Sequence, residues 1–124
     1  MEANLKRIFE ESKQWEIERA KGIVVRHILT DTIKNMIPES NHKKFAYPTY
    51  TNLIYKVLFD KNAKQLQQDY KLKKGESVRD YLTADELADV ENLERLSAGL
   101  INLGWGYEQI KNFLTANVLK KMIA

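Results

Sequence analysis

The chain has 124 residues, 20 of them basic and 17 acidic, a hydrophobic share of 44% and no cysteine. That length suits one domain, and the composition excludes a disordered or low-complexity chain, a disulfide scaffold and a thiolate zinc site. No apolar run approaches the roughly 18 to 20 residues of a bilayer span, and no secretory leader marks the amino terminus, so no membrane contact is expected and the expected location is cytoplasmic.

Apolar residues recur at helical spacing almost throughout, with only two prolines and five glycines, so the expected fold is all-α with about five to six helices in a single domain over 1–124. Over 1–38, Leu5, Ile8, Phe9 and Trp15 mark a first helix from about Asn4 to Arg19, and Gly22 is expected to interrupt it. Val25, Ile28, Leu29, Thr32, Ile33, Met36 and Ile37 follow the i, i+3, i+4 rule up to Pro38, which cannot continue a helix. The β-branched run Ile23-Val24-Val25 leaves a short strand open as an alternative start. Residues 39–48 have no period and read as a loop, with Tyr47 pushed toward extended backbone by Pro48.

A helix-turn-helix-like region is expected over 49–82. Thr49 or Thr51 caps a helix carrying Leu53, Ile54, Val57 and Leu58, and Asn62 caps a short helix from Ala63 to Tyr70. A turn around Lys71 to Glu76 then leads to a short helix holding Val78 and Leu82. Over 83–124 the pattern predicts a helical hairpin. Thr83 and Glu86 form a capping box, Leu87, Val90, Leu93, Leu96, Leu100 and Leu103 face inward, Gly104 ends the helix, and Gly104-Trp105-Gly106 links it to a last helix with Tyr107, Ile110, Phe113, Leu114 and Val118 inside.

Charge is divided unevenly. Lys61 to Arg79 carries a net +4 and Asp80 to Glu108 a net −6, within a total of +3. In a helix-turn-helix the second helix enters the major groove. On that reading Lys64, Lys71, Lys73 and Lys74 hold phosphates and Arg79 reads a guanine edge. The acidic stretch offers a contrasting surface, with Asp85, Asp89, Glu94 and Trp105 as the residues that would meet a protein partner. Aromatic residues from Phe45 to Phe59 sit near Lys43, Lys44 and Lys56, where stacking of bases competes with ordinary core packing.

Catalytic constellations are not found. His27 and His42 lack carboxylates at metal-ligand spacing, the four serines lack nucleophile-elbow surroundings, and the Gly-Trp-Gly link has no preceding strand or Walker lysine. A non-enzymatic protein with no cofactor and no metal is therefore expected.

Three stretches, Tyr50-Thr51-Asn52-Leu53-Ile54-Tyr55-Lys56, Asn62-Ala63-Lys64-Gln65-Leu66 and Val78-Arg79-Asp80-Tyr81-Leu82-Thr83, with the earlier Arg19-Ala20-Lys21-Gly22, resemble a small domain of phage and prophage proteins. Such domains accompany antirepressor modules of the KilA or Rha type. The resemblance spans most of residues 16–114 and implies a regulatory or host-interaction role inside a bacterial host, with no separate DNA-binding module expected before the domain. Two functions are compatible with these residues. One is a phage regulatory protein that binds DNA or other nucleic acid through the basic segment. The other is a protein-interaction module, an antirepressor or an inhibitor of a host nucleic-acid-directed defence complex of the anti-CRISPR type, acting through the acidic hairpin. A homodimer is compatible with both.

Overall fold

The structure, a computed structural model, describes the backbone of residues 2–37 and 43–123 and the side chains of 13–37 and 43–118. It is all-α, with no strand among the described residues. The helices are α1 (Glu2–Met36), α2 (Ala46–Phe59), α3 (Ala63–Tyr70), α4 (Ala84–Asn102) and α5 (Tyr107–Ile123), with single 3₁₀ turns at Lys43–Phe45 and Val78–Tyr81. No helix among the described residues is long and apolar enough to cross a membrane.

α1 is one continuous helix of 35 residues, about 52 Å at 1.5 Å per residue. Gly22 does not interrupt it, and Ile23-Val24-Val25 is helical. The glycine sits where α1 approaches its neighbour most closely: a Cβ there would lie 3.3 Å from the Glu91 carboxylate. Its missing side chain thus serves packing rather than helix termination. Val25, Leu29 and Ile33 are buried as the periodicity requires, together with Thr32, whereas Ile28 and Met36 face solvent. Leu5, Ile8 and Phe9 lie outside the described side chains, and Pro38 to His42 outside the described residues.

α1 and α4 lie side by side and run in the same direction. The Trp15 indole donates to the Leu82 carbonyl just before α4, Gly22 meets Glu91, and Met36 and Ile37 share a hollow with Ile101 near the far end of α4. α2 packs on both α4 and α5, and between these helices Leu29, Ile54, Val90, Ile110 and Leu114 are almost completely buried. α4 and α5 are joined by Leu103 to Gly106, with Gly104 at φ +89° ending the helix as its position suggests. The long seam of α4, however, is with α1, and α5 settles on α2.

Three further local expectations change. α2 begins at Ala46, so Tyr47 and Pro48 lie in its first turn, where a missing N–H costs no helical bond. Neither Thr49 nor Thr51 is its cap, and Thr49 instead donates back to the Phe45 carbonyl. Leu96 and Leu103 are exposed, because the buried face of α4 follows Leu87, Val90, Glu94, Ala98 and Ile101.

The capping box at Thr83 is formed in full, with the Thr83 hydroxyl accepting from the Glu86 N–H at 3.2 Å and Glu86 accepting from the Thr83 N–H at 2.9 Å. Asn62 and Gln65 do the same at the start of α3. Thr83→Ala should cost about 1 kcal/mol in urea unfolding, with the slope of the transition unchanged because the same surface is exposed.

Candidate nucleic-acid interface

The corner between α3 and α4 is a loop and a single 3₁₀ turn. A turn of four residues is too short to act as a groove-reading helix, so the second helix of the expected helix-turn-helix is replaced by a compact anchor. Ser77 and Asp80 cap that turn reciprocally, and Arg19 of α1 reaches Asp80 at 3.6 Å. The ring of Tyr81 stacks on Tyr70 at 5.4 Å, closing the turn back onto α3.

Arg79 points inward. It is 4% exposed, its guanidinium donates to Glu94 Oε1 at 2.8 Å and to the Tyr47 hydroxyl at 3.1 Å, and Glu94 is fully buried. Both residues therefore leave the surface roles expected of them. Arg79 cannot read a base, and Glu94 is no part of an exposed acidic face. Burial by itself would lower the Arg79 pKa, but the adjacent Glu94 carboxylate, with Tyr55 and Tyr47, outweighs it and holds the pKa above its ordinary value. Tyr47 is in turn covered by Arg26, whose guanidinium carbon lies 5.2 Å from the ring centroid. Desolvation raises the Tyr55 pKa against the opposing pull of Arg79.

One turn before Glu94, Glu91 is 5% exposed and faces Glu18 of α1, itself 8% exposed. Burial, followed by the hydrogen bond and negative charge of Glu18, raises the Glu91 pKa to about 7, against smaller opposing effects of Arg95 and Lys21. Below that pH Glu91 holds a proton between the two carboxyls. Gln14 and Lys21 donate to Glu18 at 3.1 and 3.4 Å.

With Arg79 withdrawn, the other four basic residues remain together. Lys64 on α3 and Lys71, Lys73 and Lys74 on the loop line one open hollow of about 560 Å³, with Gln67 and Gln68 between them. Among the described residues none of these four ammonium groups has an ion-pair partner. Glu76 is the one acidic residue lining the hollow among the described residues, and its carboxylate is engaged by the Lys73 N–H at 2.6 Å and the Tyr81 hydroxyl at 2.8 Å. It shapes the loop and leaves the lysines in solvent. Lys71 takes the left-handed conformation at the end of α3, with φ 54°, where a glycine would avoid a strain of roughly 1 kcal/mol. Asp85 and Asp89 are exposed one turn apart on α4, and Trp105 is half-buried in the α4–α5 link.

The buried pair was hidden from residue patterns because its partners lie 15 positions apart on different elements. A signal did exist in the register, since Glu94 falls seven residues after Leu87 and seven before Ile101, in the middle of the apolar stripe. Among the described residues no group of three or more His, Cys, Asp or Glu side chains is arranged to hold a metal ion.

Arg79→Met should destabilise the fold by about 3–5 kcal/mol, because it leaves Glu94 charged and unpaired in the core. The double variant Arg79→Met/Glu94→Leu should recover most of that loss in thermal or urea unfolding. An exposed base-reading arginine would show neither effect. Glu91→Gln tests the carboxyl pair. The folded chain holds the Glu91 proton more tightly than the unfolded chain does. Its stabilising effect is therefore complete below the ordinary value of 4.5 and is lost as pH rises through about 7. The glutamine variant should match the parent in acid and exceed it near pH 8 by up to about 3 kcal/mol. No protein-family model, curated protein or solved structure matches the chain.

Proposed function

We propose that the protein binds the phosphate backbone of nucleic acid through Lys64, Lys71, Lys73 and Lys74, without catalysis, in the phage or mobile-element regulatory setting that the resemblance implies. The observation that carries this reading is the gathering of four ammonium groups, unpaired among the described residues, around one open hollow whose only described carboxylate is occupied by the loop itself. Lysines so placed attract phosphates irrespective of sequence. With Arg79 buried, the arrangement holds a backbone and has no direct reader of bases at this corner.

The strain at Lys71 fits the same reading. Glycine would occupy φ 54° more comfortably, and lysine there places a cation at the hollow's edge. Contact with a host or phage protein through an acidic face keeps Asp85 and Asp89 but loses Glu94 to the core, so the basic corner is the favoured surface.

Fluorescence anisotropy with labelled oligonucleotides over a range of potassium chloride should give a plot of log affinity against log salt with a slope near −3 to −4, reflecting about four phosphate contacts. Lys71→Gln/Lys73→Gln/Lys74→Gln should flatten that slope by about three. Absence of binding at low salt would sink the proposal. Lys71→Gly should raise stability by up to about 1 kcal/mol while weakening binding.

A further inference from the structure

Two more hollows lie beyond the lysine corner, and their linings connect. Lys64, in the corner, and Asn62, which caps the same helix, stand two residues apart. Asn62 lines a second hollow of about 360 Å³ together with Lys56 of α2 and Lys111 of α5. Thr49 and Tyr107 line both this hollow and a third one of about 480 Å³.

The third hollow differs in chemistry. Ile37, Ile101 and the buried ring of Tyr50 contribute apolar lining, and Trp105 and Tyr107 present half-buried rings. Each of these rings is held from the side. Tyr107 meets Tyr50 at 5.5 Å with planes 74° apart, and Trp105 meets Phe113 at 5.7 Å with planes 89° apart. Edge-on support of this kind fixes a ring without laying a parallel ring flat against it. Its volume falls within the range of small-molecule sites. Among the described residues, every charged side chain lining the second and third hollows is a lysine: Lys43, Lys56 and Lys111. Lys43 is steadied by donating to the Lys34 carbonyl at 2.8 Å.

We infer that the aromatic hollow takes one unpaired nucleobase of a single strand whose phosphates pass Lys56 and Lys111 toward the lysine corner. This rests on the nucleic-acid reading above and narrows its substrate class to single-stranded DNA or RNA. Flat aromatic walls match the face of a base, and in a duplex those faces are covered by neighbouring pairs. The uniformly basic lining complements a polyanion carrying an apolar, planar group. An uncharged apolar ligand would leave Lys56 and Lys111 without a role, and an acidic peptide would leave the rings without one.

The test uses the full chain carrying Trp15→Phe, so that Trp105 is the one tryptophan and can be excited selectively over the tyrosines, and compares a thymidine oligomer of about 12 nucleotides, well inside known single-strand site sizes, with an abasic strand of the same length and a duplex. The thymidine strand should quench the emission and bind about tenfold more tightly than the abasic strand. Trp105→Ala should erase that difference while leaving abasic affinity unchanged. Because Trp105 also packs on Phe113, Ala46→Leu, which narrows the third hollow from a position outside the second and spares both rings, should give the same result. Equal binding of thymidine and abasic strands with unchanged emission would overturn the base site and leave the lysine corner standing. Failure of every strand to bind at low salt would overturn both, and tighter binding of the duplex than of the single strand would overturn the assignment to single strands.

Discussion

A guanidinium and a carboxylate, both taken out of water, decide how this domain is put together. Arg79 and Glu94 join the 3₁₀ turn to the middle of α4, and through the Tyr47 hydroxyl they join both to the first turn of α2. Desolvating two ions is costly, and a pair of this kind adds little net stability compared with well-packed apolar residues. What it contributes is position. A guanidinium has donors in a fixed plane, so the turn that carries it can be seated in few ways. The loop immediately before it, which holds Lys71, Lys73 and Lys74, inherits that placement.

The charge asymmetry of the chain looks different once folded. The basic segment loses Arg79 to the interior, and the acidic segment loses Glu94 with it, so the two largest local excesses shrink by one charge each on the surface. Glu91 gives up its charge as well below about pH 7. Exposed cations are then concentrated on a loop whose own carboxylates are engaged. Glu76 braces the loop, Asp80 caps the turn, and Asp69 pairs with Lys61. Local acids are used to build the corner, and its lysines are left facing water.

Helical class, the Asn62 cap of α3, the capping box that opens α4, and the glycine stop after α4 were legible in the residues because each depends on contacts within a few positions. What escaped was set by contacts across the fold. Gly22 reads as a helix breaker until a second helix is seen pressed against it, and then its lack of a side chain is the condition for the approach. Leu96 and Leu103 follow an apolar spacing yet face solvent, because the seam with α1 selects the stripe that contains Glu94 instead. Among the site residues, Lys64, Lys71, Lys73 and Lys74 share one surface, as their closeness in the chain suggests. Arg79, close to them in sequence, is turned the other way by a partner 15 residues downstream.

Two helices that run in the same direction cannot be joined by a short turn, and between α1 and α4 the chain passes through α2 and α3. The Trp15 contact to Leu82 closes an interval of 67 residues. Such distant pairing makes closure of the α1–α4 seam slow relative to formation of either helix. During synthesis α1 can meet α2 first, but its long seam stays open until α4 has left the ribosome. The first helix made thus has its longest seam unfilled until the carboxyl-terminal half of the domain has been synthesised.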